Sequence, residues 1–165
     1  MPRSIYTTLK APAFGLILAS FFILGTFFTP AWAENQAKTL VKDAAEKKKL
    51  LGKHMLSLQW ISWEKFGSAT VTEKNGLLTI KGEQRSKSKD PDWLTIDGVI
   101  TEVASGQFKF KGKIETRVSH INEGKPCLRE GEMNFAIKGK RKYWRLKEMD
   151  NPCDHVTDYV DIYFK

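Results

Sequence analysis

From Leu56 onward, apolar and polar residues alternate along the chain. Leu56, Leu58 and Trp60 alternate with Ser57, Gln59 and Ile61, which predicts a first strand near residues 55–64. Ala69 and Val71 alternate with Thr70 and Thr72, and Leu77-Leu78-Thr79-Ile80 follows after Lys74-Asn75-Gly76. Asn-Gly between two apolar-rich runs predicts a tight hairpin, because both residues tolerate positive φ. Glu83 to Asp92 is polar and contains Pro91, so it reads as a loop. Residues 93–103 and 107–119 read as a long hairpin around Ala104-Ser105-Gly106. In its second arm Phe108, Phe110, Gly112, Ile114, Thr116 and Val118 take one side, and Lys109, Lys111, Lys113 and Arg117 fall on the other. Such alternation predicts an antiparallel strand with one wet face. Met133, Phe135 and Ile137, then Trp144 and Leu146, then Val160, Ile162 and Phe164 continue the pattern.

These segments predict an all-β domain over residues 54–165, with about eight strands at short, regular spacing. Short turns favour an antiparallel up-and-down meander that closes into a barrel, with a β-sandwich as the alternative. The architecture resembles the calycin-type barrels, as in lipocalins. The lipocalin glycine-x-tryptophan signature is not found at the first strand, where Leu58-Gln59-Trp60 stands instead.

The N-terminal third has a different texture. Arg3 and Lys10 precede a mostly apolar run over Phe14–Phe28, and Ala31-Trp32-Ala33 offers a small-x-small site. That order predicts a secretory signal peptide over residues 1–33, cleaved after Ala33. Residues 34–53 are rich in Ala, Lys and Glu, and read as a short helix or mobile leader stopped at Gly52, with Asp43 and Lys47 placed to pair across one turn. The signal segment holds two cations and no acid, so its removal takes the 165 residues and net charge of +8 to 132 residues and +6. No second hydrophobic span follows. Export predicts an oxidising compartment, periplasmic or secreted. It also predicts a disulfide between the two cysteines, Cys127 and Cys153.

Three groups of residues are candidates for function. The first is basic: Lys109, Lys111, Lys113 and Arg117 on one strand, and Lys140, Arg141 and Arg145 in the next hairpin with Lys138, Lys142 and Lys147. Such a surface attracts phosphate, anionic lipid or acidic polysaccharide. On a strand it also serves as a solvated face that Glu115, Glu130, Glu132 and Glu148 partly neutralise. The second is aromatic: Trp60, Trp93, Phe108, Phe110, Phe135 and Trp144 are placed to line an interior cavity or to fill a core. Trp63, Tyr143, Tyr159 and Tyr163 fall out of phase with the interior and suit surface contacts. The third is the scattered set His54, His120 and His155, which offers no metal-ligand spacing; no metal or cofactor is expected.

Nucleophile elbows, zinc-protease motifs and glycine-rich phosphate loops do not occur. The expectation is an exported, non-enzymatic β-barrel binding protein of the bacterial envelope. Its ligand would be an apolar or amphiphilic small molecule inside, or an anionic envelope polymer or lipid on the basic face, and not nucleic acid. The alternatives are a structural or accessory envelope protein acting through protein contacts, and a small hydrolase.

Overall fold

The computed structural model describes residues 38–164. The expected signal peptide lies outside the described residues. Nine strands and one helix follow in order: β1 (Leu40–Val41), α1 (Ala44–Leu50), β2 (Gly52–Leu58), β3 (Gly67–Lys74), β4 (Leu77–Arg85), β5 (Trp93–Ala104), β6 (Gln107–Arg117), β7 (Cys127–Ala136), β8 (Tyr143–Leu146) and β9 (Val160–Tyr163). Each strand from β2 to β9 pairs antiparallel with the next, and β9 pairs back onto β2 with Leu56 opposite Ile162. The meander therefore closes into an eight-stranded barrel, and the sandwich alternative gives way to it. Asn75 and Gly76 both take positive φ in the β3–β4 turn, as the Asn-Gly signal requires.

The first strand starts and ends earlier than the expected 55–64. Gly52, at φ +103°, turns the end of α1 directly into β2. Beyond Leu58 the chain leaves the sheet in a loop, so Trp60 sits past the strand end.

Residues of the expected leader are tied into one end of the barrel. Asp43 caps α1 by accepting the Glu46 N–H at 2.9 Å. Glu46 and Leu50 are buried, and Trp144 donates its Nε1–H to Glu46 Oε1 at 2.7 Å. Lys47 reaches Glu73 at 2.7 Å on the neighbouring hairpin, not Asp43 within the helix. β1 lies parallel to β5, with Leu40 opposite Glu102. The Thr39 hydroxyl stands where β4 and β5 separate. It accepts the Leu78 N–H at 2.8 Å and donates to the Ile100 carbonyl at 2.6 Å, so two backbone groups left over by the parting strands are satisfied.

The interior is filled. Phe108, Phe110, Phe135 and Trp144 are at most 2% exposed. The Phe108 and Phe135 rings stack at 4.9 Å, and Trp144 meets Phe108 edge-on at 5.9 Å. Leu56, Ile80, Ile96, Ile114, Val160 and Ile162 complete the core around them. An eight-stranded barrel is just wide enough for such side chains. Closing it needs sharp strand bends, and inward positions held by glycine supply them. Gly98 and Gly112 lie opposite each other on β5 and β6. A Cβ on either would come within 2.6–2.7 Å of the Phe110 ring, which occupies the space the missing side chains leave.

The far end is held by polar contacts. Arg129, facing inward on β7, pairs with buried Asp158 at 2.8 Å. Asp158 also accepts from Trp60 Nε1 at 3.0 Å and from Asn151 Nδ2 at 2.9 Å. The Cys127–Cys153 disulfide is formed, with Cα atoms 6.0 Å apart, and joins β7 to the loop that carries Asn151 and Asp158. Among the described residues, no helix is long and apolar enough to cross a membrane.

Candidate anion-binding site

The two basic groups meet different fates on the barrel wall. On β6 the outward residues Lys109, Lys111 and Lys113 face β7 in register with Asn134, Glu132 and Glu130. Lys113 lies 3.5 Å from Glu130, and Lys109 lies 3.6 Å from Glu102 on β5. Glu102 also binds Lys42 at 2.8 Å, and that hydrogen bond, the largest influence, holds its carboxyl below the usual range; Lys109 acts in the same direction. Arg117 makes a two-point contact with Asp90, which raises its pKa, and also donates to the Gly124 and Pro91 carbonyls. It is a clamp between two loops. The β6 stripe is thus a ladder of cross-strand charge pairs, worth little individually at an exposed surface.

The β7–β8 hairpin behaves differently. Between Ala136 and Lys147 there are six cations and no acid. β7 and β8 pair only at Phe135–Leu146 and Ala136–Arg145, and residues 137–142 form a long connection. Beside them is a cavity of about 180 Å³, lined by the cations Lys138, Arg141, Arg145 and Lys147 and walled by Ala136, Ile137, Leu146, Met149 and Tyr159. Lys140 lies exposed in the turn, away from the lining.

Arg145 is the fixed member of the set. Its Nε and Nη2 donate to the two oxygens of Asp161 at 2.7 and 2.6 Å, and this pairing raises its pKa against the opposing effect of burial. Its guanidinium lies 3.9 Å from the Tyr159 ring centre and 5.2 Å from that of Tyr143. The Arg141 guanidinium also approaches the Tyr143 ring, at 5.7 Å from its centre. A guanidinium held flat by rings and a carboxylate is pre-organised, so little freedom remains to be lost on contact with a ligand. Lys138, Arg141 and Lys147 are exposed and complete a site with excess positive charge over an apolar floor.

The aromatic candidates also divide. Phe108, Phe110, Phe135 and Trp144 face inward and pack on one another in the core. Trp93 opens β5 on the outer face, where Arg85 approaches its ring at 5.8 Å. Trp60 is half-buried at the polar end, with His120 edge-on at 6.1 Å. Trp60 lies past the end of β2, where alternation no longer sets a face, and Trp93 lies within β5 but out of phase with buried Leu94 and Ile96. Tyr143, Tyr159 and Tyr163 do lie on the wall, around Arg145 and Asp161. Lys138 and Lys147, expected in the basic hairpin group, do line the cavity; Met149 lies beyond that run, and no alternation or charge signal pointed to it. Among the described residues, no group of three or more His, Cys, Asp or Glu converges to hold a metal.

Fold and site together describe a closed antiparallel β-barrel with a packed interior and a cationic cavity on its outer wall. The chain belongs to the PM1083 family, whose model matches residues 38–164. It is 43% identical over 143 residues to "Uncharacterized protein PM1083" of Pasteurella multocida (strain Pm70), covering 86% of this chain and 92% of that one. No solved structure matches it.

Proposed function

We propose that the chain is an exported, non-enzymatic binding protein of the bacterial envelope that takes an anionic envelope component at the cavity beside the β7–β8 hairpin. The carrying observation is the convergence of Lys138, Arg141, Arg145 and Lys147 on one cavity whose nearby acid, Asp161, is already engaged by Arg145. The packed aromatic interior favours this outer site over an internal one. Export is supported by the pattern of residues 1–33 and by a disulfide that suits an oxidising compartment.

The test is titration with inorganic pyrophosphate and with dextran sulfate, followed by calorimetry at low and moderate salt. Lys138→Glu/Arg141→Glu/Lys147→Glu should abolish binding of both probes, and wild-type affinity should fall as salt rises. Unchanged affinity in the triple variant overturns the reading.

A further inference from the structure

The cavity does not end in solvent on every side. On the wall formed by β8, β9 and β2, Arg141 lies against Tyr143, Tyr143 lies 5.1 Å from Tyr163, and Tyr163 lies 5.1 Å from Phe66. The register makes this wall continuous: Tyr143 is opposite Tyr163, and Ile162 is opposite both Trp144 and Leu56. Phe66 and Met55 then line an open groove of about 690 Å³. They are 37% and 46% exposed, which is unusual for side chains of this type placed together. The wall therefore changes along its length from an acid-free cation cluster, through tyrosines, to exposed Met55 and Phe66, which share their groove with Lys53 and Glu83.

That gradient matches the layering of a lipid interface. Cations favour the anionic headgroup plane, tyrosines favour the boundary, and apolar side chains favour the outer acyl region. A soluble polyanion would gain nothing from Phe66, Met55 and the tyrosine rings, and in the groove Lys53 is accompanied by Glu83. Resting on the anion-binding reading above, we infer that this wall docks side-on against an anionic membrane, with a headgroup phosphate in the cavity and Phe66 and Met55 in the interfacial layer.

The experiment is co-flotation of the exported protein, purified from expressing cells, with vesicles of phosphatidylglycerol and phosphatidylcholine or of phosphatidylcholine alone. Binding to the anionic vesicles should be at least about twenty-fivefold tighter, at about fivefold per engaged cation, and Lys138→Glu/Arg141→Glu should remove that preference. Met55→Ser/Phe66→Ser should weaken anionic-vesicle binding about tenfold while leaving pyrophosphate affinity unchanged. Both positions are surface-exposed, and circular dichroism checks that the variant is folded. If the protein binds pyrophosphate but not anionic vesicles, or if Met55→Ser/Phe66→Ser floats like wild type, the membrane inference fails and the anion site stands. If it binds neither pyrophosphate nor anionic vesicles, both fail.

Discussion

Arg145 grips Asp161 through two hydrogen bonds of 2.7 and 2.6 Å on the outer wall of the barrel, yet Asp161 has no exposed surface. The guanidinium and the tyrosines beside it roof the carboxylate. Removing Arg145 would strand a buried charge, whereas removing the charge of Asp161 would release the guanidinium toward the cavity. Arg145→Ala should therefore lower stability by about 3 kcal/mol, and Asp161→Asn should cost less. Urea unfolding of both variants checks the order. Equal losses would mean that burial of Asp161 does not govern the pair.

Gly98 and Gly112 are predicted to be intolerant of any side chain, because a Cβ there would meet the backbone of the facing strand first, the Lys111 carbonyl oxygen at 2.5 Å and the Asp97 carbonyl oxygen closer still, and the Phe110 ring as well. Gly112→Ala should destabilise the barrel by about 1–3 kcal/mol. Gly112→Ala/Phe110→Leu should recover part of that loss, since the smaller side chain vacates the contested space. A double-mutant cycle on urea midpoints measures the coupling, and strict additivity would refute it.

The disulfide and the Arg129–Asp158 pair act on the same loop. Cys127→Ser/Cys153→Ser frees the segment that presents Asp158 and Asn151 to Arg129. A cost of about 3 kcal/mol is expected for the lost crosslink, read as a lowered melting temperature of the reduced or double-serine protein. Trp60 fluorescence should change in the native baseline as well, since its Nε1–H donates to Asp158. A crosslink variant with wild-type melting would show that the loop is held by other contacts.

Glu102 gives a pH dependence with a definite sign. Its carboxyl is held below the usual value near 4.5, first by the Lys42 hydrogen bond. A carboxylate with a depressed folded pKa stabilises fully above its unfolded pKa, and that contribution disappears as pH falls through the folded value. Wild type should therefore be more stable than Glu102→Gln at pH 7, and the two should converge as pH falls through the depressed folded value of Glu102. A gap that persists in acid would assign the difference to packing. High salt should narrow the gap at pH 7, because the carboxylate is near solvent.

Alternation by itself determined the class of fold and most of the inward residues. In β6, Phe108, Phe110, Ile114 and Thr116 face the core as their spacing demands, and the Asn75-Gly76 turn follows from the φ tolerance of two residues. These are local properties, readable wherever a two-residue repeat continues. The pairing of the cysteines was legible too, because only two are present. Tertiary structure decided which charges remain available. Lys113 and Arg145 look alike in sequence, but the β6–β7 register sets Lys113 opposite Glu130 and the β8–β9 register sets Arg145 opposite Asp161, beside Tyr159. It also decided that Trp93 lies on the outer face, that Trp60 packs half-buried at the edge of the core, and that Phe66 reaches Tyr163 across the β2–β9 seam. Such neighbours depend on strand register and on where the sheet closes on itself. Both are set by packing between residues distant in sequence, and no local period encodes them.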